Sequence, residues 1–217
     1  TGAGIALDAA SRGMKVLLLE KNDFAGGTSS KSTKLIHGGL RYLKQLEFGL
    51  VRSVGRERAI IHKLAKHIVK PVDMLLPIYK NGSLGKFTTS MALWVYDFLA
   101  GVDKDDKYKM LDSNATLKKE PLLNSNGLLG SALYKEYQTD DARLTIEVLK
   151  TAASFGALSV NYTLCENFIY DKQNKNKISG VKFRDILQNK TYKASATKII
   201  NATGPWVDEI RLKDPAP

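Results

Sequence analysis

Cysteine is nearly absent from this chain. Its 217 residues include one, Cys165, so no internal disulfide can form, which fits a reducing compartment. Long apolar runs are missing too. None reaches the roughly 20 residues a membrane-crossing helix needs, and the most apolar stretch, residues 91–102, is interrupted by Asp97. Acidic charge is short, at 22 Asp and Glu against 33 Lys and Arg, for a net charge of +11. Such an excess raises nucleic-acid binding. The lysines, however, are scattered through helices, turns and strands, with no basic helix face interleaved with aromatics. A solvated surface, or attraction to anionic lipid headgroups, explains the charge better, and no nucleic-acid partner is expected. Internal repeats and low-complexity linkers are lacking, as is an initiator methionine. Thr1-Gly2 reads as the middle of a loop, so the expectation is an excerpt from a longer protein. What is present is a folded composition, 43% apolar and 25% charged, in a chain long enough to bury a core.

Periodicity predicts a helix over 3–12, with Leu7, Ala10 and Met14 inward and Asp8 and Arg12 paired on the wet side. Gly13 ends it. The run Val16-Leu17-Leu18-Leu19 before Glu20 reads as a strand buried on both faces of a parallel sheet. Residues 24–40 form a Gly/Ser/Thr-rich loop. A helix over 50–69 is expected to bury Val54, Ile61, Leu64 and Ile68 and to stop at Pro71. A strand follows at 72–79 and a helix at 87–100, with a broad apolar surface. Residues 104–140 read as irregular, with a short helix near 114–120. A helix over 142–155 is expected to bury Leu144, Val148, Ala152 and Phe155. Strands are predicted at 158–162, at three antiparallel positions within 165–195, and at 197–202. Strands alternating with helices predict an α/β fold with a doubly wound parallel sheet.

Gly2, Ala6, Gly13, Val16 and Glu20 fall at the spacing of the second half of a dinucleotide-binding fingerprint. Gly2 would let the first helix pack closely on the sheet, and the helix start would offer N–H groups to a pyrophosphate. Glu20 would accept hydrogen bonds from ribose hydroxyls. Its carboxylate would repel a 2′-phosphate, which argues against NADP but does not separate NAD from FAD. On these residues alone an ordinary turn and an ordinary strand-end acid also remain open.

The segment from Gly26 to Leu43 carries the most information. Thr28, Ser29 and Ser30 can donate to phosphate oxygens. Gly38 and Gly39 permit a close pass along a flat ring. Arg41 can form a forked pair with a phosphate or carboxylate. Singly, each is more simply a solvated loop residue or a surface ion-pair partner. Their clustering after a buried strand favours a site.

Thr28-Ser29-Ser30, the block Lys34-Leu35-Ile36-His37-Gly38-Gly39-Leu40-Arg41-Tyr42-Leu43, Asp140-Asp141-Ala142-Arg143-Leu144 and Asn201-Ala202-Thr203-Gly204-Pro205-Trp206-Val207 together resemble the FAD-dependent glycerol-3-phosphate dehydrogenases, with the glycerol-3-phosphate oxidases as close relatives. The likeness runs along essentially the whole chain. It implies a Rossmann-like FAD-binding domain from 1–70 and 141–217, without its first strand, and part of a substrate-binding subdomain at 71–140. It implies Glu20 at the adenosine ribose, with Gly2 and Lys21 among the cofactor-binding residues, Thr28, Ser29 and Ser30 along the pyrophosphate, and Leu164 and Cys165 near adenine. Lys34, Leu35, His37, Gly38, Gly39 and Leu40 would run beside the isoalloxazine ring, and Ala202, Thr203 and Gly204 would form a second FAD-contacting turn. Arg41 would hold the substrate phosphate, with Tyr42 close by. His37 is the one candidate for the catalytic base, with hydrogen-bonding to the flavin as its other task.

The reaction so implied takes a hydride from C2 of glycerol 3-phosphate to FAD and yields dihydroxyacetone phosphate. Electrons would pass to the quinone pool, or to oxygen in an oxidase. The basic charge and the apolar 91–99 segment fit a cytoplasmic protein held peripherally on the inner membrane, although that segment reads equally well as core. A homodimer is left open, no metal is expected, and a catalytically silent dinucleotide-binding module is the competing reading.

Overall fold

The structure is a computed structural model describing residues 1–36, 42, 45, 47–82, 85–102, 104–174 and 176–214. The chain packs as two compact units, one of Thr1–Ser32 with Asp141–Pro217, the other of Thr33–Asp140. The first unit is therefore built from two distant pieces of sequence.

In that unit, α1 (Gly2–Ser11) lies against α5 (Asp141–Ser154). Small side chains make the close approach possible: Ala10, Ala152 and Ala157 are buried together, with Leu7 and Val16 packed on them. Met14, expected on this face, is exposed, because the helix has already ended and Gly13 turns the chain at φ +80°. The Asp8–Arg12 pair forms at 3.0 Å in full solvent, where such pairs contribute little. β1 (Leu17–Leu19) runs parallel to β6 (Leu158–Val160), Leu17 opposite Leu158 and Leu19 opposite Val160. Burial on both faces is not what the structure shows, since Leu17 and Leu158 are exposed. The pair forms a two-stranded sheet with no further strand beside it among the described residues.

α5 buries Leu149 and Ala152, whereas Phe155 is exposed past its end. The antiparallel ribbon is present as β7 (Thr163–Tyr170), β8 (Ile178–Asp185) and β9 (Lys190–Ser195), in that order. Residues 197–202 are not a strand, and Ile200 is exposed. Apolar content there is not matched by a neighbouring ladder among the described residues, and a strand needs one. A short helix, α6 (Val207–Arg211), follows.

The second unit is a four-stranded antiparallel sheet with helices. β5 (Leu128–Gln138) is its centre, paired along its length with β3 (Lys70–Tyr79). Its other edge takes β4 (Lys109–Asp112) and the two-residue β2 (Leu35–Ile36). The sequence reading left 104–140 largely irregular. The eleven-residue β5 escaped it because Gly130, Ser131 and Glu136 are buried and break the expected polar alternation. Pro71 and Pro77 both sit within β3, an edge strand, where a missing N–H is tolerated. Pro71 therefore does not stop the preceding helix, α2 (Phe48–Leu64), which ends seven residues earlier.

α2 buries Val51, Gly55 and Arg58 rather than the expected Val54–Ile68 stripe, and Leu64 is exposed. Its partner is α3 (Lys86–Ala100), through Tyr96 and Ala100. α4 (Ser113–Lys119) is capped by the Asp112 carboxylate, which accepts the Ala115 N–H at 2.7 Å.

A Cβ at Gly55 would stand 2.6 Å from the Ala100 Cα, against backbone that cannot give way. We expect Gly55→Ala to lower stability by about 1–2 kcal/mol, because overpacking outweighs the gain of about 1 kcal/mol in helix propensity. Thermal unfolding checks this, and a Tm at or above wild type would contradict it.

Candidate functional site

The first unit holds several of the singled-out residues, and the start of α1 lies beside one of them, Ala202. Thr1 gives its carbonyl to the Ile5 N–H at 3.0 Å, but no side chain caps the helix. The N–H groups of the first turn are thus open to an anion. A Cβ at Gly2 would lie 3.5 Å from Ala202 Cβ and 3.8 Å from Leu18 Cδ1. These are ordinary contacts, so packing alone does not require glycine there. They do show that the helix start, β1 and the turn around Ala202 adjoin.

Glu20 continues the line of β1. Its N–H donates to the Val160 carbonyl at 2.9 Å and its carbonyl accepts from the Thr163 N–H at 2.8 Å. One carboxylate oxygen, Oε1, takes the Asn22 N–H at 2.8 Å, and Oε2 has no hydrogen-bond partner among the described residues. Lys21 is exposed beside it. The following turn is tied down by Asn161, which donates to Asp23 at 2.9 Å.

Thr28–Ser30 form one turn of 3₁₀ helix that packs on α5. The Ser30 hydroxyl donates inward to the Ala25 carbonyl, and the Ser32 hydroxyl donates to the Asp141 carboxylate. The hydroxyls of Thr28 and Ser29 have no such partner among the described residues. The Trp206 ring covers Gly27, where a Cβ would approach it to 3.4 Å.

The turn at 201–207 is shaped by Asn201. Its Nδ2 donates to the Val207 carbonyl at 2.9 Å, and its Oδ1 accepts the Thr203 hydroxyl at 2.7 Å and the Thr203 N–H at 3.3 Å. Ala202, Thr203 and Gly204 are exposed on it, Gly204 at φ +59°. Sequence reasoning gave Asn201 and Trp206 no task, although an Asn two residues before a Thr in a Gly/Pro turn is an Asx-turn signal. Cys165 lies half-buried on β7 opposite Phe183.

In the second unit, Lys34 sits at φ +61°, and its carbonyl accepts the Thr139 N–H at 2.9 Å. A lysine in this left-handed region is strained, and strain of this kind clusters at functional sites. Leu35 pairs with Gln138. Tyr42 is exposed, and its carbonyl accepts the N–H groups of Gln45 and Glu47. His37, Gly38, Gly39, Leu40 and Arg41 lie outside the described residues.

Residues 1–217 match the family described as FAD dependent oxidoreductase (DAO). The chain belongs to this FAD-dependent oxidoreductase family. It is 58% identical over 214 residues to the aerobic glycerol-3-phosphate dehydrogenase of Bacillus subtilis strain 168, covering 99% of this chain and 38% of that protein. It is 56% identical, with the same coverage, to that of Staphylococcus epidermidis strain RP62A. Among solved structures it resembles the glycerol-3-phosphate dehydrogenase of Bacillus halodurans complexed with FAD, at 43% identity and a TM-score of 0.76, covering 99% of this chain and 34% of the other. The chain therefore spans about 38% of the length of the curated relatives it matches.

For a member of this FAD-dependent family, the donor set in the first unit has the right chemistry. An uncapped helix start and two hydroxyls suit a pyrophosphate, and a strand-end carboxylate suits a ribose. The described residues hold no cluster able to bind a metal ion.

Burial pushes the Cys165 thiol above its ordinary pKa, and Lys213 only partly offsets this. The thiolate is the reactive form, so at pH 8 a smaller fraction is reactive than in a free thiol. We expect a disulfide reagent such as DTNB to label native Cys165 at least about fivefold more slowly than the urea-unfolded chain. Equal rates would contradict this placement.

Proposed function

We propose that the whole protein oxidises sn-glycerol 3-phosphate to dihydroxyacetone phosphate. The observation that carries this reading is the 58% identity, along 99% of the chain, to a protein named aerobic glycerol-3-phosphate dehydrogenase. Bound FAD supplies the hydride-accepting chemistry. This chain's residues bind and orient. The open N–H groups at Gly2 and the hydroxyls of Thr28 and Ser29 hold the pyrophosphate, with Ser30 bracing their turn from within. Glu20 accepts from the ribose, with Lys21 beside it, and the backbone at Cys165 borders adenine. Ala202, Thr203 and Gly204 offer a second backbone contact, while Lys34 and Leu35 lie beside the ring system. His37, Gly38, Gly39, Leu40, Arg41 and Tyr42 take the roles their motif implies: hydrogen-bonding or base for His37, ring contact for Gly38, Gly39 and Leu40, and a phosphate clamp for Arg41 with Tyr42. In these terms 1–70 and 141–217 form the cofactor side and 71–140 the substrate side. This division by task differs from the packing units, in which 33–70 belong with the second.

The test is the absorbance spectrum of the purified whole protein, before and after anaerobic glycerol 3-phosphate. Flavin bands that bleach on addition are expected, and a colourless protein indifferent to substrate would overturn the reading. Glu20→Gln keeps an acceptor for the Asn22 N–H but removes the charge offered to the ribose. We expect it to weaken FAD binding about tenfold, as loss of a charge-assisted hydrogen bond does. Titration of the apoprotein measures this.

The electron acceptor is proposed to be a membrane quinone. Supporting this, α3 exposes Phe87, Met91, Trp94 and Phe98 along one face, with Trp94 and Phe98 stacked at 6.2 Å. No helix of the described residues is long and apolar enough to cross a membrane. Such a stripe on a basic chain suits an interface with anionic lipid. Trp94→Ala with Phe98→Ala should reduce partitioning onto anionic vesicles about tenfold, leaving turnover with a soluble dye acceptor unchanged. Undiminished partitioning would remove α3 from that role. Rapid recolouring of the bleached enzyme in air would favour oxygen as acceptor.

A further inference from the structure

The second unit contains a buried ion pair for which the functional reading has no use. Arg58 of α2 is 4% exposed, and its guanidinium lies 3.1 Å from the Glu136 carboxylate of β5, itself 5% exposed. The same nitrogen donates to the Tyr96 hydroxyl of α3 at 2.8 Å. The guanidinium stands over two rings, 5.6 Å from the Tyr96 centroid and 4.9 Å from that of Tyr137. One turn along α2, the His62 ring packs against Tyr137 at 4.7 Å. Burial and the nearby Glu136 also hold the Tyr96 hydroxyl protonated, with its pKa well above the ordinary value.

A buried ion pair is a poor source of stability. Desolvation of the two charges offsets most of their attraction, and well-packed apolar residues of similar size often stabilise as much or more. What a forked, planar guanidinium gives instead is geometry. Here that geometry converges on one end of β5. Residue 136 bears the carboxylate, residue 137 bears the ring gripped by Arg58 and His62, and residues 137 and 138 are the partners of β2 among the described residues. β2 has two residues and pairs with no other described strand. Among the described residues, the next backbone tie beside it is the Thr139 N–H to the Lys34 carbonyl, and Lys34 is held there in a strained conformation.

We propose that Arg58 and Glu136 are positioning residues. They lock the end of β5 to α2 and α3, and so hold β2 with Lys34 and Leu35 in the register that the cofactor requires. The consequence for catalysis rests on the flavoenzyme reading above. The effect on β2 does not.

The experiment replaces the pair by apolar residues of similar volume, Arg58→Met with Glu136→Leu, in the FAD-loaded whole protein. Thermal unfolding, hydrogen exchange read by mass spectrometry, and flavin reduction by glycerol 3-phosphate are followed together. The expected result is a Tm no lower than wild type, exchange in peptides covering residues 33–36 at least about tenfold faster with those covering 72–79 unchanged, and flavin reduction at least about tenfold slower. Unchanged exchange at 33–36 would overturn the proposal. Accelerated exchange with wild-type flavin reduction would overturn its catalytic part. A wild type that glycerol 3-phosphate does not reduce would count against the functional reading, leaving the exchange result to decide on β2. Should the double variant not fold, Arg58→Lys keeps the charge but loses the fork and the stacking. It should show the same exchange pattern in milder form, and wild-type exchange there would equally overturn the proposal.

Discussion

The parallel pairing of β1 with β6 is the constraint on which the first unit depends. It joins residues 17–19 to residues 158–160, so the whole segment between must leave and return before the sheet exists. Parallel pairing of this kind demands a long crossover. Here the crossover contains a compact unit of its own, Thr33–Asp140. Closure is reinforced where the chain departs and re-enters, by the Ser32 hydroxyl on the Asp141 carboxylate and by the alanine contact of α1 with α5. Small residues at that contact bring the two helices close. The same closeness sets the start of α1 beside Leu18 and Ala202.

The two units solve the problem of polar burial in opposite ways. Among its described residues the first buries no charged side chain, and its turn residues satisfy one another near solvent. The second draws an arginine and a glutamate inside and surrounds them with a tyrosine hydroxyl and aromatic faces. Leaving either charge alone would strand the other, which is far more damaging than losing both. The pair therefore behaves as a single element, and its position at the end of β5 matters more than its energy.

Much of the first unit was legible in the sequence, because its signals are local. The small-residue helix with its Asp8–Arg12 pair, the run Leu17-Leu18-Leu19 and the turn-separated ribbon each follow from spacing within a few residues. The second unit was less legible. β5 hid behind Gly130, Ser131 and Glu136, which are buried for reasons set by distant residues. The stripe of α2 differs from the expected one because two of its three buried residues, Gly55 and Arg58, do not score as apolar. Conversely, the apolar 91–99 segment read equally well as core or as membrane contact, and in the structure Trp94 and Phe98 are exposed. The site motif was read from residue chemistry, but the task of Asn201 depends on a contact with Val207 that only the folded turn displays.

The turns of the candidate site share one property that bears on how tightly they could hold a dinucleotide. Each is shaped from within. Glu20 takes the Asn22 N–H, Ser30 donates to the Ala25 carbonyl, and Asn201 bridges Thr203 and Val207. A loop that satisfies its own backbone loses little conformational freedom when a ligand arrives, so more of the contact energy appears as affinity. Among the described residues, the hydroxyls of Thr28 and Ser29 and the Glu20 Oε2 are not consumed in this way and have capacity to spare. Among the described residues, shaping bonds and unconsumed donors and acceptors thus alternate along the same short segments, sometimes within one side chain. On the proposed reading, that alternation is why these turns are rich in Ser, Thr, Asn and Gly rather than merely polar: the residues serve the loop on one side and would serve the ligand on the other.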